Sequence, residues 1–570
     1  MPATSKAGPG GNGGAMLAIV MGVIAIWVWV AGAAHLGGVD DGGRGWVGLP
    51  LGFMLGKAHW TTGATFWLVV TGAVAAVVAA LVWWLWRKIR HGGNSGTRVD
   101  AAAKLMGKGK DIEPLSRKHA ADIAKRLQVN SPLPGFFIGY TTTSHQELWS
   151  SWENTIISIW GPRTGKTSTQ AIPRVMDCPG AVLATSNKRD LTDATRDPRA
   201  KLGEVWVFDP EDVVGERPAG ELPPWWWNPL SYVTDDATSV KLADHFVFST
   251  RKADSKGDAY FDDAGRNLLA DIMLAAALDN QPITTVYAWL TRRNNDRPIE
   301  VLQHFEYDLQ ADRLTEAQNM ASEQQDGVYG TASKAASCLT MRSMMPWINP
   351  TGPGDNRPQI DPAMFVQGAN TLYSLSKEGS GVAAPIVTAL TVAVAEEAEK
   401  LGARQPGGRL ITPMLCCLDE AANVCKWGKL PDLYSHYGSR GIIIDTYLQS
   451  WSQGVDTWSA SGMRKMYSAA NVRIYGGGIN EAEFLENMAK IVGQFDRETS
   501  SVSNSEKSRS VSNQTTRARI LDIEDLAALP LGRAVVMASG AVPCIINTVR
   551  WTQRPDADVI KASIKAHEPH

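Results

Sequence analysis

Disulfide chemistry is the first thing this sequence lacks. Its six cysteines (Cys178, Cys338, Cys416, Cys417, Cys425 and Cys544) have no framework spacing, so a stapled secreted domain is excluded and a reducing compartment favoured. An excess of one charge is lacking as well. With 56 Lys+Arg against 58 Asp+Glu and a formal net charge of -2, the chain cannot hold nucleic acid by bulk electrostatics, and any such contact must be local. The 10 histidines are scattered, with no HExxH or paired spacing, and carry no assigned chemistry. Cys416 and Cys417 are neighbours on an apolar run, where successive side chains point to opposite faces. They read as small buried hydrophobes rather than as a metal pair with Cys425. No internal repeat is visible, and the apolar content argues against global disorder.

What the sequence does contain begins with two uncharged apolar runs, Leu17 to Ala34 and Ala64 to Trp86. The second is about 35 Å long as a helix, enough for a hydrocarbon core of about 30 Å; the first is at the lower limit. Arg87, Lys88, Arg90 and Arg98, then Lys104, Lys108 and Lys110, follow the second run, whereas the loop between the runs holds only Arg44 and Lys57. By the positive-inside rule this predicts a two-pass anchor in the cell membrane over residues 1–95, with helices about 17–34 and 64–86. The loop is then external, and both termini and the large remainder are cytoplasmic. Trp83, Trp84 and Trp86 fit an interfacial belt. Residues 96–150 read as a linker, and the lysines between Gly92 and about Asp111 suit anionic lipid.

From Thr155 the sequence reads TIISIW-GPRTGKTS-TQAIPRVM. A short β-branched run enters a Gly-rich turn and leaves in a helical pattern, the context a phosphate-binding loop requires. Backbone N–H groups across Gly161, Pro162, Arg163, Thr164, Gly165, Lys166, Thr167 and Ser168 suit phosphate oxygens, helped by the helix N-terminus (Pro162 itself has no N–H to give). Lys166 suits the β- and γ-phosphates and Thr167 suits Mg²⁺. The usual spacing is G-x-x-x-x-G-K-[ST]. Here only three residues separate the glycines, and Trp160 takes the first-glycine position. An incidental Gly-Lys-Thr is the alternative. Pro413 to Glu420, PMLCCLDE, is an apolar strand ending in two carboxylates. Such a tip places Asp419 in a Mg²⁺ shell and Glu420 to orient and deprotonate water. A plain strand followed by an acidic cap is the competing reading.

Apolar runs at 155–160, 181–185, 205–208, 371–375, 414–418, 441–447 and 471–475 alternate with helical patterns, which predicts a parallel sheet with helices on both faces. The nucleotide-binding domain is expected over 151–230 and 346–555. It closes with a hairpin at 534–539 and 543–549, and a tail at 556–570 follows. Between its two segments, 231–345 shows only helical spacing and reads as an all-α insertion. That insertion has 17 acidic and 11 basic residues, a local charge of -6, so it suits protein better than DNA. A solvated acidic face is the alternative. Residues 500–517 are Ser/Thr-rich and are expected as a mobile loop.

The stretches GPRTGKTSTQAIP, AVLATSNKRDLTDATR, VWVFDP, WWWNPL, NTLYSLSKEGSGVAAPIVTAL, LCCLDEAANV, GSRGIIIDTYLQSWSQ and NVRIYGGG occur in that order. Together they resemble the TraG-type coupling proteins of type IV secretion, most like the actinobacterial, Gram-positive branch, over roughly 150–550. The resemblance implies an α/β, RecA-like P-loop ATPase domain with an inserted all-α domain and an N-terminal anchor. It further implies ATP and Mg²⁺ as cofactors, and a homo-hexamer pumping relaxase-linked, single-stranded DNA during conjugation. By the same resemblance Arg440 matches a trans-acting arginine and Gln449 a sensor glutamine. A surface arginine and a locally satisfied polar residue are their plainer readings. Lys188 matches a common family lysine without an assigned role. A double-stranded DNA translocase of the FtsK/HerA type, a protein-export ATPase and a non-hydrolysing docking receptor are the competing functions.

Overall fold

The computed structural model describes residues 12–40, 45, 48–92, 97–218, 220–250, 259–377, 379, 382–505 and 508–568. It forms two compact units, Met1–Gly96 and Thr97–His570.

The first unit contains helices Asn12–Leu36, Leu49–Met54 and Thr62–Gly92. The long helices approach closely where side chains are small. A Cβ on Gly37 would lie 2.2 Å from the Ala64 amide nitrogen, and one on Gly72 would lie 2.8 Å from the Trp29 ring. Trp29 Nε1 donates across the pair to Thr71 Oγ1 at 2.7 Å. Small residues and a polar cross-helix bond are the usual means of joining helices in lipid. Among the described residues one helix is long and apolar enough to cross a membrane, Thr62–Leu81, with mean hydropathy 2.2. The first expected run, 17–34, lies within the helix Asn12–Leu36, where the apolar stretch found among the described residues is Ile24–Leu36.

The second unit is built on strands β1 (Gly135–Thr141), β2 (Glu147–Ser151), β3 (Ile156–Ile159), β4 (Val182–Ser186), β5 (Val205–Phe208), β6 (Thr371–Leu375), β7 (Met414–Leu418), β8 (Ile442–Leu448), β9 (Val472–Tyr475), β10 (Gln494–Ser505), β11 (Ser508–Arg519), β12 (Arg533–Ala538) and β13 (Cys544–Asn547). Eleven of them form one sheet in the order β2-β1-β13-β12-β9-β3-β8-β7-β4-β6-β5. From β9 to β5 neighbouring strands are parallel; β12, β13, β1 and β2 add an antiparallel wing. The central strands β7 and β8 are buried along their whole length, which requires helices on both faces. Alternation divides their side chains between two apolar layers. Cys416, Leu418 and Ile442 enter one layer, and Leu415, Cys417 and Ile443 the other. All six cysteines are free and buried.

Three stretches differ from expectation. Residues 96–150, read as a linker, carry helices Arg98–Ala102 and Arg117–Arg126 and contribute β1 and β2 to the sheet. Strand β1 pairs with β13, Tyr140 opposite Asn547, a partnership too distant in sequence for local pattern to reveal. The stretch 500–517 is read as a loop for want of apolar residues, but its described residues, 500–505 and 508–517, lie in the β10–β11 ribbon, paired in register from Gln494↔Arg519 to Ser505↔Ser508. Ladder hydrogen bonds pair the two strands, and the Thr and Val in their sequence favour the extended state. The tail contains helix Ala557–Ala566, whose Ser563 Oγ donates to Asp193 O at 2.6 Å on helix Asp190–Ala200. The helical stretch between β5 and β6 includes Asp236–Thr250, Ala259–Leu278, Asp308–Asn319 and Ser322–Ala335. No strand occurs among the described residues of 231–345.

Candidate nucleotide site

In a parallel sheet the carboxyl ends of the strands open onto one edge, where ligands gather. Four neighbouring strands, β3, β8, β7 and β4, deliver polar side chains to that edge here. Lys166 comes from the turn after β3. Its ammonium lies 3.0 Å from Asp419 Oδ1 and also pairs with Glu420. Asp419 and Glu420 directly follow β7. Gln449 directly follows β8, and its Nε2 donates to Glu420 Oε2 at 2.8 Å. Glu420 adopts φ 55°, ψ 40°, a left-handed conformation that costs a non-glycine residue energy and is concentrated at functional sites. The structure thus brings together Lys166, Asp419, Glu420 and Gln449.

Burial governs the electrostatics. Asp419 is 3% exposed, and desolvation pushes its carboxyl up to about 6; Lys166 pulls against the shift, while Glu420 and Asp190 add to it. Burial alone would lower the Lys166 ammonium, but Asp419 and Glu420 override it and hold the pKa above the ordinary lysine value. The lysine is therefore fully charged at neutral pH. Asp190, at the start of the helix after β4, is raised by desolvation against the pull of Lys188 and Lys166. Lys188 itself stands on the same turn, its backbone N–H donating to Ser186 Oγ at 3.2 Å.

The shortened loop is braced from within and from below. Trp160, 1% exposed, donates its indole N–H to Thr164 O at 3.2 Å, and Thr164 Oγ1 donates to Gly161 O at 2.5 Å. Ser168 Oγ turns back to Gly165 O at 3.0 Å. Gly165 has φ 95°, where only glycine is unstrained. Pro162 and Arg163 are exposed on the crest, and Thr167 opens a single π-turn, Thr167–Ala171. Beneath them run three glycines after β9. A Cβ on Gly476 would fall 1.8 Å from the Trp160 ring, and one on Gly478 would fall 2.7 Å from Thr164 Cγ2. Gly161 N–H donates to Gly477 O at 2.9 Å. Trp160 can replace the expected glycine because Gly476 vacates the space its ring fills. The sequence signal for this floor was the run of three glycines at a strand end, which demands close backbone approach.

Arg440 does not join the cluster within its own chain. It precedes β8 while Gln449 follows it, so the strand's seven residues separate them by about 20 Å. Its Nη1 donates to Gly408 O at 2.9 Å. Behind the loop, Arg174 on helix Ile172–Asp177 pairs with Asp445 of β8 and donates to Gln170 Oε1 at 2.6 Å and Tyr447 OH at 3.1 Å. This buried network ties the helix after the Gly161–Ser168 turn to the sheet.

Two sequence families match the chain. Residues 103–347 match the family described as Type IV secretory system Conjugative DNA transfer, and residues 413–531 match TraM recognition site of TraD and TraG. No curated protein matches in sequence. Among solved structures, the bacterial conjugative coupling protein TrwBdeltaN70 in its unbound monoclinic form superposes with TM-score 0.53 at 15% identity, over 75% of this chain and 91% of that one. TrwB in complex with the ATP analogue ADPNP gives 0.51 at 15%, over 71% and 88%. TrwB in complex with ADP and Mg²⁺ gives 0.51 at 15%, over 71% and 87%. At these identities the likeness is one of fold.

Proposed function

The chain belongs to the TraG/TraD-type coupling proteins of type IV secretion, and from that membership we propose that it is an ATP-driven DNA translocase held at the cell membrane. The convergence of Lys166, Asp419, Glu420 and Gln449 at the ends of three adjacent strands carries this reading. ATP is the substrate, held along Gly161 to Ser168 with Lys166 on its β- and γ-phosphates. The donor set fits a magnesium nucleotide. Among the described residues no three His, Cys, Asp or Glu side chains converge to hold a metal by themselves, and Mg²⁺ is normally held by one or two protein ligands plus phosphates. Thr167 and Asp419 are the residues that would hold it; when bound, it neutralises charge on the β- and γ-phosphates. Glu420 orients the attacking water and takes its proton, while the Gln449 amide fixes the other carboxylate oxygen. Lys166 must leave the two carboxylates to reach phosphate, so substrate entry itself releases Glu420.

Arg440 serves the neighbouring protomer in a homo-hexamer, which is the arrangement its 20 Å removal favours. The anchor is two-pass, with both termini cytoplasmic. DNA, single-stranded and relaxase-linked, is the cargo, and the acidic insertion recruits the relaxase. The likeness of residues 413–531 to the region named for TraM recognition supports a separate accessory-protein contact there.

Turnover of ATP by the full-length protein in lipid nanodiscs, with and without DNA, tests the reading. DNA-stimulated turnover that Lys166→Ala abolishes, and Glu420→Gln abolishes without loss of nucleotide binding, is the expected result. A protein that binds nucleotide but never turns it over would be a docking receptor.

A further inference from the structure

A second cleft, of about 1580 Å³, lies at the far edge of the sheet beside β5. Five strand spacings separate β5 from β3, about 24 Å from the phosphate turn. Its floor is aromatic. Trp206 and Trp225 meet edge to face at 5.3 Å, as do Trp225 and Trp347. Apolar Leu222 and Met364 on its walls are 49% and 64% exposed.

One wall is bare backbone. Thr371 N–H donates to Glu204 O at 2.8 Å, so by strand alternation Trp206 and Phe208 turn their backbone groups toward β6. Those of Val205 and Val207 face the cleft instead. The Val207 carbonyl accepts Trp225 Nε1 at 3.2 Å, which leaves the N–H and C=O of Val205 and the N–H of Val207 directed into the opening. The rim is acidic. Glu204, Asp212 and Glu221 line it and form no ion pair among the described residues, whereas Glu216 is already paired with Arg189 and Arg196. The rim's own Arg217 lies over the Trp347 ring at 5.4 Å from its centroid, an internal example of the guanidinium–indole contact this floor accepts.

We propose that this cleft is a docking site for an extended, Lys/Arg-rich peptide segment carrying an apolar anchor, which adds alongside β5 with its cations on the rim. Outward backbone groups supply main-chain hydrogen bonds, the indole floor takes the apolar anchor or an arginine face, and three unpaired carboxylates select positive charge. Nucleic acid is disfavoured by that same rim. The identity of the peptide as a signal on protein cargo rests on the coupling-protein reading; the binding chemistry does not.

Selection of random 12-mer peptides displayed on phage against the full-length protein in nanodiscs, without nucleotide, tests this. Selected sequences are expected to be rich in Lys and Arg with at least one aliphatic or aromatic residue. A synthetic representative should bind about tenfold or more weakly to Glu204→Lys/Glu221→Lys, two exposed changes at ordinary backbone geometry expected to leave the melting temperature unmoved, and more weakly to Trp206→Ala. Selected peptides without basic excess, or equal binding to the charge-reversed protein, would overturn the proposal. So would failure to select any peptide while the double variant breaks up the assembly, which would make the cleft a contact between copies. Because nucleotide is absent throughout, loss of the motor reading would leave these outcomes interpretable.

Discussion

Trp160 stands where phosphate-binding turns ordinarily begin with glycine, and its indole does two separable jobs. The ring fills the space above Gly476, and the N–H braces Thr164 O. Trp160→Phe keeps most of the ring and loses the donor, so nucleotide affinity by fluorescence titration is expected to fall several-fold with a small change in melting temperature. Trp160→Ala should cost roughly 3–5 kcal/mol in urea denaturation, the usual loss for a buried aromatic. Asp419 makes a pH prediction. Its carboxyl, raised from 3.8 to about 6 by burial, is protonated below that value and cannot hold a cation. Mg²⁺-dependent nucleotide affinity is therefore expected to rise between pH 5 and 7, with a midpoint near 6 that Asp419→Asn removes. The sign reverses for stability. The folded chain binds the proton more tightly than the unfolded one, so this group's contribution to stability declines as pH climbs from about 4 through 6. At this scale the meeting of Lys166, Asp419 and Glu420 was legible because each sits at a strand tip in a motif whose chemistry fixes its spacing, whereas Gln449 came only from the family resemblance. The support of Trp160 by Gly476 was only half legible: three glycines at a strand end signal a close approach, but nothing local names a partner more than three hundred residues away.

Among elements, the helix after the phosphate turn is held by a charge pair with no access to water. Arg174 and Asp445 are 1% and 0% exposed, and desolvation raises the Asp445 carboxyl despite the arginine. Arg174→Met alone strands a buried carboxylate and should cost about 3–5 kcal/mol in urea denaturation, whereas Arg174→Met with Asp445→Leu should recover most of it. The β10–β11 ribbon behaves oppositely. Its strands pair with each other and with no strand of the main sheet, so replacing 498–515 by a short Gly/Ser turn is expected to leave the melting temperature within a few degrees of wild type. The seven parallel strands were readable from β-branched runs of four to seven residues. The ribbon and the β1–β2 wing were not. One has almost no apolar residues, and the other completes a sheet begun four hundred residues away.

For the molecule as a whole, the distance between Arg440 and the Lys166 cluster predicts complementation between chains. Arg440→Ala and Lys166→Ala should each lack ATP turnover, and mixing the two proteins should restore a measurable fraction, because some interfaces then combine an intact lysine with an intact arginine. Two inactive proteins that stay inactive when mixed, despite co-assembly shown by crosslinking, would place the arginine's role within its own chain. The helical stretch between β5 and β6 has one more implication. Those strands are parallel neighbours, so the whole stretch fills a position where a single crossover helix would suffice. The stretch between them can therefore lengthen or shorten without cutting the sheet or moving the strand ends that carry Lys166, Asp419, Glu420 and Gln449.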